Sequence, residues 1–472
     1  MFKTLPAFEE IEPHKFLYNV GALLDIPTGT YVKGIHGESI LNGGYANLCG
    51  IAGKGNSFKS MISHYMNLTV AEHIAAAGYH PYVSTYDTEV NIVRDRLQSF
   101  LESFPLLKNM DALNTSVWSV TDKSKHYGDE WYSLLKTFLN GDKLKNKKDY
   151  MVVTPMVNNK GVLVKTLFPT FGSIDSMTEF ETADVIETQR KNELGESGGN
   201  MIFARSGLAK TRLMGELPVL CAQTAHFMTV TAQVGPETTI GQPTHGAPPP
   251  KRLQHMRPGE KIKGITDKFF FLTGYFLYVM KSDLLNDKDT KGPIYPKLRA
   301  EDGEPSEDLN VVTVKQLRSK FGPSGYTIDF VISQSDGVLP TLTEFYYLKN
   351  QDKFGMGGNN INFHMQLLPE VNLMRTTLRE KIDTTPALQR AIKITADLLQ
   401  IKHYHTKLDV YIPTPLELYE KLKTKYDWKV LLDTRDWWTF NNDEVKPNFL
   451  STMDLVNMYN DTYVPFWLEK TK

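Results

Sequence analysis

The chain has 472 residues, enough for two or three domains with sizeable cores. A net charge of -1 excludes attraction to nucleic acid through overall charge, so any such affinity has to come from a local basic patch. Two cysteines, Cys49 and Cys221, both in apolar stretches, exclude a disulfide framework and a cysteine zinc site and point to a reducing compartment.

Residues 1–40 hold Pro6, Pro13, Pro27 and short apolar clusters, too little for a domain. They lack the apolar run of a signal peptide and are expected to pack on the core or on a neighbouring subunit, as an oligomerisation segment. Residues 45–49 read as a buried strand. Residues 61–77 read as a helix, with Ile62, Met66, Val70 and Ile74 repeating at helical spacing. Between them, Gly53-Lys54-Gly55-Asn56-Ser57-Phe58-Lys59-Ser60 follows the phosphate-loop pattern G-x-x-x-x-G-K-[ST], except that Phe58 replaces the second glycine. Strand, tight loop and helix are the context this motif needs. Loop amides and a helix N-terminus present N–H groups to phosphate oxygens. Lys59 is expected to reach the β- and γ-phosphates, and Ser60 to bind Mg²⁺ through its hydroxyl.

A second strand, 81–86, ends in Asp87-Thr88-Glu89, and a helix is expected over 92–100. Ligand sites of open parallel sheets lie beyond the carboxyl ends of strands. Glu89 there is a candidate base for a water attacking the γ-phosphate. A strand–helix pair spans 116–139, and the lysines of 143–148 read as a solvated turn. Residues 151–167 read as an inserted β-hairpin turning at Asn158-Asn159-Lys160-Gly161. A strand follows over 171–176, ending in Asp175-Ser176, with Asp175 a candidate Mg²⁺-side acid.

Residues 179–205 are polar and glycine-containing and read as a mobile loop. A helix to about 227 and a strand over 228–233 come next. The segment 235–268 carries six prolines and five glycines, too many for regular structure. Lys251, Arg252, Arg257, Lys261 and Lys263 make it a candidate polyanion-binding loop, since phosphate contacts come chiefly from Lys and Arg. The run 269–280 is too short for a membrane helix and reads as a buried strand. Strands over 310–316 and 326–333 close the core. A Gly/Asn-rich linker over 346–360 leads to helices over 386–400, 415–426 and 450–459, with the tryptophans of this region expected in their core.

This order of motifs resembles RecA-family recombinases over residues 41–339, nearest to phage members whose phosphate loop also carries Phe-Lys-Ser. Gly43-Gly44 and Tyr86-Asp87-Thr88-Glu89 fit the same pattern. The resemblance implies an α/β fold: a RecA-like P-loop NTPase core with a mostly parallel sheet over 41–340, after a short N-terminal segment and before a small helical C-terminal domain over 341–472. It implies Lys59 and Ser60 on ATP and Mg²⁺, Glu89 activating water, Asp175 on the metal side and Gln233 sensing the γ-phosphate at the start of a second DNA-binding loop. The first DNA-binding loop would lie within 179–205. Arg318 and Lys320 match cations that reach a neighbouring subunit's ATP. The expected activity is a cytoplasmic, DNA-dependent ATPase that forms homo-oligomeric filaments on single-stranded DNA and exchanges strands with double-stranded DNA. The alternatives are a ring-forming replicative helicase and a nucleotide-switched DNA-coating protein without turnover.

Overall fold

A computed structural model describes residues 15–191, 200–237, 253–297, 307–359 and 361–468. Nine strands form the spine of one mixed sheet: β1 (Leu48–Gly53), β2 (Val83–Asp87), β3 (Trp118–Asp122), β4 (Thr170–Asp175), β5 (His226–Pro236), β6 (Tyr275–Leu284), β7 (Leu309–Ser319), β8 (Thr327–Ser333) and β9 (Gly337–Val338). Their order is β9-β8-β7-β6-β1-β5-β4-β2-β3, and the short strand Glu260–Ile262 pairs with the end of β5. From β6 to β3 all neighbours are parallel, whereas β6, β7, β8 and β9 pair antiparallel. The fold is therefore α/β with a large, mostly parallel sheet.

The central strands are apolar runs because helices cover both faces. All six residues of β1 and all six of β4 are buried. On one face, helix α1 (Lys59–Ala76) buries Ile62, Met66, Val70 and Ile74. On the other, helix α2 (Asn200–Thr224) contributes Leu213, Met214, Leu217 and Leu220 to a separate cluster with Met228, Val230 and Tyr278. The expected hairpin is present as Met151–Val157 paired with Leu163–Leu167. Cys49 and Cys221 are buried free thiols, and burial pushes each up to about 12.

Several local expectations are corrected. Residues 179–205 are not one loop: a helix spans Ala183–Lys191 and α2 begins at Asn200, with 192–199 outside the described residues. Residues 269–280 are not one strand. Helix Asp267–Leu272 forms first, its Phe269 N–H donating to the Thr266 hydroxyl at 3.3 Å, and β6 starts at Tyr275. Arg318 lies in β7 rather than in the turn after it. Residues 346–360 are not a linker, because helix Pro340–Asn350 runs into them and strand Met356–Gly358 follows. Lys143 is not solvated. It is fully buried, and its Nζ donates to Thr170 Oγ1 at 3.1 Å and to Ala225 O at 3.4 Å.

The chain after β9 contains a three-stranded antiparallel sheet as well as helices, the longest being α3 (Pro386–Tyr404). One apolar cluster runs through this region, the first described residues and α1. Trp438 stacks on Tyr18 at 4.7 Å and donates its indole N–H to Leu17 O at 3.2 Å. Gln400 donates to Leu23 O at 3.0 Å, and Asp454 accepts the Ser39 N–H at 2.7 Å. Among the described residues, no helix is long and apolar enough to cross a membrane.

Candidate nucleotide site

Sheet register assembles the site. Gly53 of β1 pairs with Gln233 of β5, Ile174 of β4 with Val230 of β5, and Asp175 of β4 with Asp87 of β2. Four neighbouring parallel strands therefore end at one edge, each delivering a residue singled out from sequence or one next to it.

The loop after β1 is tightly built. A Cβ on Gly53 would lie 2.5 Å from Ser57 Oγ and 2.9 Å from the Val279 side chain, so glycine is required there. Ser57 donates to Lys54 O at 2.7 Å. Phe58, at the position of the motif's second glycine, has φ 63° and ψ 16°, left-handed backbone immediately before α1. A non-glycine residue is held in this region at about 1–2 kcal/mol, and packing of the Phe58 ring against the core offsets it. The N–H groups of Gly55, Asn56, Ser57 and Phe58 donate to no other described residue. Lys59 is almost buried, its Nζ 2.6 Å from Lys54 O and 3.4 Å from Ser57 Oγ. Burial pushes its pKa down, and the carboxylates of Asp175 and Glu89 act against that shift. Ser60 follows in the first turn of α1.

The acids face this loop. Asp175 Oδ1 accepts from the Thr231 hydroxyl at 2.6 Å. Glu89 Oε1 lies 3.3 Å from both Gln233 Nε2 and Ser176 Oγ, and Oε2 accepts from Asn91 Nδ2 at 3.0 Å. Asp87, which sequence reasoning did not select, fixes the turn that carries Glu89. Its two oxygens accept the N–H groups of Glu89, Val90, Asn91 and Ile92 at 2.9–3.0 Å. Thr88 ties this turn to β4: its N–H donates to Asp175 O and its hydroxyl bridges the Ser176 N–H and C=O, all at 2.7 Å. A local signal existed for Asp87, an Asp at a strand end before a turn, where Asp side chains commonly cap backbone N–H groups.

The basic segment folds back onto the same edge. Lys261 pairs with Gly235, and the Lys263 N–H donates to Gln233 O at 2.8 Å. Glu260 forms an ion pair with Lys54 at 3.0 Å and also accepts from the Tyr278 hydroxyl. This latch between the loop after β1 and the basic segment was not legible from sequence, because the residues are far apart in the chain. Arg257 precedes it, and its C=O accepts the Glu260 N–H at 3.4 Å. Lys251 and Arg252 lie outside the described residues.

Arg318 and Lys320 stand apart. Phe276, opposite Arg318, pairs with Gly50 of β1, whereas Val279 pairs with Gly53, so both cations lie toward the amino end of β1. Arg318 donates to Phe270 O at 3.4 Å and covers the Phe271 ring at 4.9 Å, and Lys320 donates to Leu272 O at 3.0 Å. Within one chain the fold brings together Lys59, Glu89, Asp175 and Gln233, and leaves Arg318 and Lys320 at the opposite end of the strands.

Comparison with models of protein families and with characterised proteins gives no match.

Proposed function

We propose that the chain is an ATP-dependent DNA recombinase with a RecA-like P-loop NTPase core, assembling as a filament on single-stranded DNA and exchanging strands with a duplex. The observation that carries this reading is the convergence of Lys59, Asp175, Glu89 and Gln233 on one sheet edge, with Glu89 hydrogen-bonded to Gln233. The residues present fit a nucleotide triphosphate. Four consecutive loop N–H groups have no acceptor among the described residues, and nothing stands within 4 Å of a Cβ built on Gly55. Mg²⁺ keeps several waters and takes few protein ligands, so the Ser60 hydroxyl and the Asp175 carboxylate, held by Thr231, are the groups that would take it.

When bound, ATP with Mg²⁺ supplies the transferable phosphoryl group. The loop N–H groups and Lys59 bind and orient its oxygens, and Lys59 must exchange its contact with Lys54 O to do so. Ser60 and Asp175 hold the metal side, with Thr231 fixing the Asp175 carboxylate. Glu89 accepts the proton of the attacking water. Gln233 couples this carboxylate to the segment carrying Lys261 and Lys263, a route by which the state of the nucleotide alters DNA contacts. Arg318 and Lys320 act on the ATP of a neighbouring subunit.

Electron microscopy with single-stranded DNA and a non-hydrolysable ATP analogue tests the assembly. Helical filaments that require both ligands are expected. Closed rings would favour the helicase reading, and absence of any nucleotide-dependent assembly would overturn the proposal.

A further inference from the structure

A second pocket lies beyond the carboxyl end of β6, enclosing about 580 Å³ and sharing no residue with the phosphate loop. That size is ordinary for a small-molecule site. One wall is aromatic: Phe363 stacks on buried Phe345 at 5.6 Å and 26°, and Tyr295 meets Phe345 edge-on at 5.8 Å. Phe363 is half-buried, so part of its surface stays accessible. Met374 and Ile361 add exposed apolar surface at the mouth.

The opposite character comes, among the described residues, from the cations Lys349, Lys353 and Arg375, with Asp287 as the lining acid. Asp287 is held by the N–H groups of Asp289 and Thr290 at 3.0 Å and accepts from Arg375 Nη1 at 2.6 Å, which fixes the guanidinium at the rim. Lys349 donates to the Tyr295 hydroxyl at 3.0 Å, a neutral partner. Burial, then the positive charges of Arg375 and Lys353, push its pKa down while Asp287 acts against the shift, so an anion entering the pocket would add to the stabilisation of its charge that Asp287 begins. Cations and a part-exposed aromatic side chain lining one pocket are complementary to a flat ring that carries a phosphate.

We propose that this pocket binds the base-and-phosphate unit of a nucleotide, either free or at a strand end, separately from the phosphate loop. The inference does not rest on the function proposed above. Isothermal titration of full-length protein tests it, using the Lys59→Ala variant so that the phosphate loop is weakened. Deoxyadenosine monophosphate should bind saturably, and at least about tenfold more tightly than inorganic phosphate or deoxyadenosine, because both halves contribute. Lys349→Gln/Arg375→Gln should weaken it at least about tenfold with an unchanged melting temperature. Should that double variant be unstable, Lys349→Gln alone must still weaken binding. Phe363→Leu should weaken the nucleotide but not phosphate. A 5′-phosphorylated pentadeoxyadenylate separates the sources: tighter binding than the mononucleotide assigns a strand end, and weaker binding a free nucleotide. Absence of saturable binding, binding insensitive to Lys349→Gln, or equal affinity for tetraglutamate would overturn the proposal. Binding present in the native protein but lost with Lys59→Ala would assign the nucleotide to the phosphate loop and overturn this inference alone.

Discussion

Phe58 separates backbone strain from side-chain packing at a single residue. Phe58→Ala removes the ring and keeps a Cβ at φ 63°, whereas Phe58→Gly removes both. Chemical denaturation should therefore find the glycine variant more stable than the alanine variant by about 1 kcal/mol. The reverse order would mean that the left-handed geometry is not held in solution. Lys143 offers a second test. Burial lowers its pKa from 10.5 to about 7. Between those values the unfolded chain binds the proton and the folded chain does not, so stability rises with pH across that window. Lys143→Met abolishes this dependence. Its advantage over the native chain should be greatest at or below pH 7 and shrink above it by up to about 1.4 kcal/mol per pH unit. A difference independent of pH would refute the buried, weakly basic lysine. At the candidate site, Glu89→Gln keeps size and hydrogen bonding but removes the proposed base. Nucleotide binding should persist while turnover falls by about two to four orders of magnitude.

At the scale of elements, register does what no single residue does. Gly53, Gln233, Asp175 and Asp87 come together because four parallel strands end at the same level. Asp87 then sets the turn carrying Glu89. Asp87→Asn leaves one carbonyl oxygen to accept where two oxygens now share four N–H groups. Displacement of a reacting group by about 1 Å can lower a rate by about 100-fold. We predict a turnover loss of that order with nucleotide binding retained. Equal turnover in Asp87→Asn and native protein would show that the turn holds its place without the carboxylate. The strand–loop–helix around Lys59 was legible in the sequence because it is local: an apolar run, small loop residues and a 3.6-residue period. The acid pair Glu89 and Asp175 was legible only as strand ends following that loop. The Lys54–Glu260 ion pair and the burial of Lys143 were not, because both depend on which strand lies beside which. Phe269–Leu272 is helical where its sequence pattern suggests a strand, because an apolar run does not distinguish a buried helix turn from a strand.

For the whole molecule, the first described residues and the chain after β9 are joined through one apolar cluster. Trp438 is the clearest joint, stacked on Tyr18 and hydrogen-bonded to Leu17. Trp438→Ala should destabilise the protein by about 3–5 kcal/mol, as large buried aromatic truncations do. The loss should appear in a single cooperative unfolding transition. A separate early transition, with the region around Lys59 unaffected, would show that the C-terminal region unfolds on its own.

Phosphate release from ATP, measured with and without single-stranded DNA, decides whether the proposed nucleotide site drives DNA binding. Native protein and Lys59→Ala should be compared under identical salt. We predict turnover that rises on addition of DNA in the native protein and is abolished by Lys59→Ala, with the variant still folded. Absence of turnover in native protein under both conditions, or equal turnover in the two proteins, would contradict it.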